Sequence, residues 1–111
     1  MDKISIDDFL KVELKVGEIL TAEKVPETDK LVRLTVNMAE QEPRQIVSGI
    51  ALYFPNTEEL VGKKCMFVAN LAVRTIKGLE SNGMILAVST EDGKFSLLEP
   101  NKEIPAGTKA K

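Results

Sequence analysis

Apolar residues fall at every second position over much of this chain, and glycines, prolines and polar clusters separate the runs. Period two is the signature of strands with one buried face. The opening differs: Ser5 or Asp7 can cap a helical turn carrying Phe9 and Leu10. Ile4, Ile6 and Phe9 are placed to plug one end of a core. A long strand follows from about Val12 to Val25, with Val12, Leu14 and Val16 on one face and Glu13 and Lys15 on the other. The apolar phase slips after Gly17 to Ile19, which predicts a bulge and a sharp bend there.

Pro26-Glu27-Thr28-Asp29 forms a turn into a second strand, Lys30 to Met38, with Val32, Leu34, Val36 and Met38 inward. Ala39 to Pro43 connects to a third strand, Arg44 to Ile50, with Ile46 and Val47 deep. Asn56 caps a short helix that Gly62 ends. Lys64 to Leu71 is a fourth strand, and Ala72 to Asn82 a loop or hairpin arm. Gly83 to Val88 is a fifth strand; after the Glu91–Lys94 turn, Lys94 to Leu98 is a short closing strand. The tail from Pro100 to Lys111 has no periodicity. The tally is all-β: a five-stranded Greek-key barrel of the oligonucleotide-binding (OB-fold) type, with a short helix between strands three and four and extensions at both ends. An SH3-like barrel or a small sandwich fits the strand count almost as well.

With 111 residues the chain suits one domain, 1–111, able to bury a core without staples. No apolar run approaches the ~20 residues needed to span a bilayer, and the start lacks the apolar stretch of a secretory signal. These features point to a cytoplasmic protein with no membrane partner. The single cysteine, Cys65, lies in an apolar run and is expected as a buried thiol. With no histidine, both a Ser-His-Asp arrangement and a zinc site are excluded. Neither GxxxxGK[ST] nor GxGxxG occurs, so nothing marks a nucleotide-phosphate loop. No cofactor, metal or catalytic residue is expected. The net charge of −2 means that any nucleic-acid binding must use a local patch. One candidate runs from Leu60 to Leu79, with Lys63, Lys64, Arg74 and Lys77 and no acidic residue.

Four stretches go further. They are Asp8–Val12 with Val16-Gly17-Glu18-Ile19; Asp29-Lys30-Leu31 with Leu34-Thr35-Val36; Arg44 to Ile50; and Val68-Ala69-Asn70-Leu71 followed by Gly78 to Ala87. In content and spacing they resemble the tRNA-binding domain family, found at the C-terminus of many methionyl-tRNA synthetases, as free-standing dimeric tRNA-binding proteins and in a chaperone-like protein of bacterial export. The similarity covers about residues 5–109.

The resemblance implies the OB fold and a non-catalytic module that binds tRNA by shape and assists aminoacylation, beside or joined to the catalytic part of methionyl-tRNA synthetase. It implies contacts at Lys30, Arg33, Thr35, Arg44, Asn70, Arg74, Lys77, Ser81 and Met84. Lys and Arg neutralise phosphates, amides and hydroxyls reach base edges or the 2′-OH, and a thioether packs on an exposed base. Singly, each has a plainer role: Asn70 ends a strand, Ser81 closes a turn, Met84 is core, Lys30 and Arg33 are solvated charges. Only their joint occurrence makes a site. Where the family usually carries Pro-Arg-Lys, this chain has Val73-Arg74-Thr75, one proline and one cation fewer. The resemblance further implies a homodimer, with Ile4, Ile6, Phe9, Leu97, Leu98 and Ile104 as candidate interface residues. Its alternative is an export-related chaperone on the same scaffold.

Overall fold

The structure is a computed structural model that describes residues 2–111. Four strands form the main antiparallel wall: β1 (Leu14–Lys24), β2 (Val32–Asn37), β3 (Arg44–Ser48) and β4 (Lys64–Val68). Two short hairpins follow β4. The first is β5 (Arg74–Ile76) with β6 (Leu79–Ser81); the second is β8 (Ala87–Ser89) with β9 (Phe95–Leu97). Between them β7 (Met84–Ile85) joins the wall, giving a five-stranded sheet in the order β3-β2-β1-β4-β7.

The long first strand makes this a barrel. Leu14 to Glu18 pair with β4, and Glu18 to Lys24 pair with β2, so one strand turns the corner between two partners. The bend is not at Gly17. The register slips between Ile19 and Thr21, so Leu20 is the extra residue and stands on the surface. Gly17 serves packing instead: a Cβ there would lie 2.6 Å from Val36 Cγ1 and 2.7 Å from Phe67 Cδ1. The pattern slips at Gly17 because the core has room for backbone only.

The barrel is nearly closed, and Ser81 makes the seam. Its hydroxyl accepts from Val47 N at 3.0 Å and donates toward Gly83 O at 3.2 Å, while Asn82 N donates to Gln45 O at 2.8 Å. These bonds satisfy the free edge of β3 without a regular ladder. Inside lie Ile19, Val32, Leu34, Val36, Met38, Ile46, Leu60, Cys65 and Phe67, all fully buried. The alternation expected for β2 holds at every position, and Ile46 and Val47 are buried as expected.

The short helix between β3 and β4 is a 3-10 turn, Thr57–Leu60, capped by the Asn56 side chain, which accepts from Glu58 N at 3.1 Å. Its Leu60 enters the core. The N-terminal turn α1 (Ile6–Phe9) has the expected Ser5 cap, with Asp8 N donating to Ser5 Oγ at 3.0 Å. It plugs nothing: Ile4, Ile6 and Phe9 are exposed. The closing segment β9 pairs with β8, outside the five-stranded sheet, and Leu98 O reaches the sheet by accepting from Met66 N. The aperiodic tail has a place as well. Val16 N donates to Thr108 O, Gly107 N to Val16 O and Ala110 N to Leu14 O, covering the flank of β1 that β2 leaves unpaired.

Candidate nucleic-acid interface

The residues predicted as contacts divide into two groups. Arg44, Asn70 and Ser81 spend their polar groups on the protein. Arg44 Nε and Nη2 donate to the two oxygens of Glu40 at 2.8 and 2.7 Å, and Nη1 donates to Ala69 O and, at 3.4 Å, to Asn82 O. One side chain thus ties the β2–β3 connection, the end of β4 and the segment before β7. The paired charges act on each other. The Arg44 guanidinium holds the Glu40 carboxyl below its ordinary value, and the Glu40 bond raises Arg44. Asn70 acts like a stretch of backbone: Oδ1 accepts from Glu13 N at 2.8 Å and Nδ2 donates to Lys11 O at 2.6 Å. Ser81 is 1% exposed. The expectation that it offers a hydroxyl at the surface is corrected: β3 needs that hydroxyl to close the barrel. Its plainer role, closing a turn, is the nearer one.

The second group faces outward. Arg33 and Thr35 lie on the outer side of β2, opposite Val47 and Gln45 of β3. Gln45 Nε2 donates to Glu80 O at 2.9 Å, fixing the β5–β6 hairpin beside β3. At the hairpin tip Lys77 and Gly78 have φ of 51° and 83°. Positive φ at both central residues is the two-residue turn whose twist matches a hairpin. Lysine in that conformation costs about 1–2 kcal/mol relative to an extended or helical backbone. The tip stands against the β1–β2 turn, which Val25 N→Leu31 O (3.0 Å) and Thr28 Oγ1→Val25 O (2.8 Å) hold closed.

Lys77 therefore borders two open clefts. One of about 370 Å³ is lined by Glu23, Lys24, Pro26, Arg33, Lys77 and Leu79. The other, also about 370 Å³, is lined by Thr28, Asp29, Lys30, Leu31, Ile76 and Lys77. Lys30, Arg33 and Lys77 are thus brought together at one end of the barrel. Arg74 is exposed at the base of the hairpin, across from Ser81. Met84, opposite Val68 on β7, is 39% exposed, so its thioether is open to solvent rather than core. Two participants were missed from sequence: Lys24, which joins the cleft because β1 runs up to the turn, and Gln45, which anchors the hairpin. The signal for Lys24 was its place two residues before Pro26.

Another depression, of about 450 Å³, is apolar and shares no residue with these clefts; Val16, Met66, Leu98, Pro100 and Ile104 line it. Among the described residues no cluster of acids and cysteine is placed to hold a metal ion. Cys65 is buried, and that burial pushes its thiol up to about 12. The thiolate needed for nucleophilic chemistry is thereby suppressed.

The family described as "Putative tRNA binding domain" matches residues 14–109. The chain belongs to the tRNA-binding domain family. Other similarities agree with this tRNA-binding domain. It is 49% identical over 109 residues to methionine–tRNA ligase of Lactococcus lactis, which accounts for 97% of this chain and 16% of the ligase. The domain thus spans about a sixth of the length of that relative. A methionyl-tRNA synthetase-related protein from Pyrococcus horikoshii superposes with a TM-score of 0.90 at 43% identity, over 99% of each chain. The chaperone CsaA of Bacillus anthracis superposes at 0.86 with 30% identity, over 99% of this chain and 100% of that one.

Proposed function

We propose that this chain binds tRNA by shape and without catalysis, presenting it to the catalytic part of methionyl-tRNA synthetase. The observation that carries this is the gathering of Lys24, Lys30, Arg33 and Lys77 where the β1–β2 turn meets the β5–β6 tip, in a chain with a net charge of −2. The cations come from three separate segments, and hydrogen bonds hold those segments in place. Four cations against three carboxylates, Glu23, Glu27 and Asp29, leave this end with a small positive excess, which suits the backbone of a folded RNA. Ser81 and Gln45 hold the β5–β6 hairpin against β3, whereas Arg44 and Asn70 tie the opposite ends of β2 and β1; Arg74 extends the surface along the hairpin, and Thr35 and Met84 supply polar and soft apolar contacts. The chain acts as one folding unit in the cytoplasm, paired with a second copy.

The test is filter binding with bulk tRNA against a length-matched unstructured RNA. Tighter binding of tRNA, falling steeply with salt, is expected. Equal affinity for the two, or none at low salt, ends the proposal.

A second reading is a polypeptide-binding chaperone. The likeness to CsaA favours it, together with exposed Leu52, Tyr53 and Val88. Such a protein would hold denatured polypeptide with little dependence on salt.

A further inference from the structure

Glu23 and Arg33 face each other across β1 and β2. Arg33 Nε donates to Glu23 Oε1 at 2.8 Å, and Nη2 donates to the same oxygen. The second carboxylate oxygen takes no bond from the guanidinium, so the pair is not the two-pronged clasp of Arg44 with Glu40. The two sites also differ in exposure. The Arg44 side chain is 15% exposed and held by two further carbonyls, Ala69 O and Asn82 O, whereas Arg33 and Glu23 are 41% and 58% exposed. Glu23 is the one acidic side chain on a cleft that also carries Lys24, Arg33 and Lys77.

A carboxylate and a phosphodiester offer an arginine the same thing: a negative oxygen in the plane of the fork. From this geometry we infer that Glu23 is an internal stand-in for RNA phosphate. On this reading a backbone phosphodiester enters the cleft, takes Arg33 from Glu23, and is flanked by Lys24 and Lys77. The inference rests on the tRNA-binding reading and adds a built-in competitor to it. The competitor lowers affinity for any polyanion. It therefore favours an RNA whose shape engages the rest of the surface at the same time, because only that RNA recovers the lost pair. Exposed ion pairs are weak, so the exchange is within reach of one phosphate contact.

The experiment is a double-mutant cycle on the full chain, with tRNA as the probe. Glu23→Gln keeps the shape of the side chain and removes its charge. It is expected to bind tRNA about threefold to fivefold tighter at low salt, the size of one exposed pair. Its plot of log K against log salt keeps the parent's slope, because the same phosphate contact forms in both proteins and only the competing pair is gone. In an Arg33→Gln background the same change gives a much smaller gain. Glu91→Gln, an exposed acid in the β8–β9 turn, controls for net charge and leaves binding unchanged. Inorganic phosphate as competitor separates the ligand sources: weak competition at millimolar levels fits a site made for RNA backbone, while displacement of tRNA at micromolar levels would mark a free-phosphate site and overturn the inference. Unchanged affinity of Glu23→Gln, or an equal gain with and without Arg33, overturns it while tRNA binding stands. Loss of binding in every protein, the parent included, removes both.

Discussion

At the scale of single residues, polar side chains in this fold are divided between holding the barrel and facing outward, and burial decides which. Ser81 is the clearest case. It is the one buried polar side chain among the described residues, and its hydroxyl is the partner of Val47 N. Ser81→Ala leaves that amide buried without an acceptor, so a loss of about 1–3 kcal/mol is expected. The urea midpoint should fall with the slope unchanged. Below the melting range the folded variant should bind tRNA as the parent does. Unchanged stability with weakened binding would instead place the hydroxyl against RNA. Lys77 is the opposite case, a surface cation held in a backbone conformation that disfavours it. Asparagine tolerates that conformation. Lys77→Asn is therefore expected to keep or raise the melting temperature while flattening the salt dependence of tRNA binding by roughly 0.7–0.9. An unchanged slope would remove Lys77 from the interface.

Elements were legible where one face meets one core. The alternation of β2 marked every inward residue, because each position has a single neighbour environment. The N-terminal turn misled for a related reason: its apolar residues are real, but their partner is not the core of this chain. Gly17 marked a real discontinuity whose cause, the ring of Phe67 and the Val36 methyl, comes from two strands far along the sequence. The candidate site followed the same rule. Lys30, Arg33 and Lys77, named from the sequence, border two adjoining clefts, yet the use of Arg44 and Asn70 as ties was hidden, because their partners are backbone atoms many residues away. The Glu40–Arg44 clasp makes that use measurable. Glu40 sits below its ordinary value of 4.5 because Arg44 bonds its charged form. A depressed acid stabilises the fold above its unfolded value and loses that contribution as pH falls through the folded one. Glu40→Gln should therefore cost up to about 1 kcal/mol at pH 7, the figure held low because the carboxylate is a third exposed. The gap between parent and variant should close as pH drops below 4.5. A gap that is the same at pH 3 and pH 7 would show that the clasp contributes shape and not charge.

Over the whole molecule, the apolar residues of the N-terminal turn are exposed. Ile4, Ile6 and Leu10 are 68%, 69% and 64% exposed, and α1 buries none of its own residues. We propose that these side chains meet the same residues of a second copy, exposed apolar residues being what such a contact uses. A two-fold arrangement sets the same patch against itself and closes without further growth. It also places two cationic ends on one particle, so that a single tRNA engaged at one end finds the other at high effective concentration. Pairing would offset the weakness of each site, which follows from a chain of net charge −2 and a cleft part-filled by Glu23. Sedimentation across the micromolar range should approach twice 12.2 kDa for the parent. Ile6→Asp places a charge in the contact without touching the core, and should sediment at 12.2 kDa with its melting curve at low concentration preserved. Its tRNA affinity should fall by more than any single cation substitution causes. A parent that stays at 12.2 kDa throughout, or an Ile6→Asp variant that still pairs, would move the contact elsewhere or abolish it.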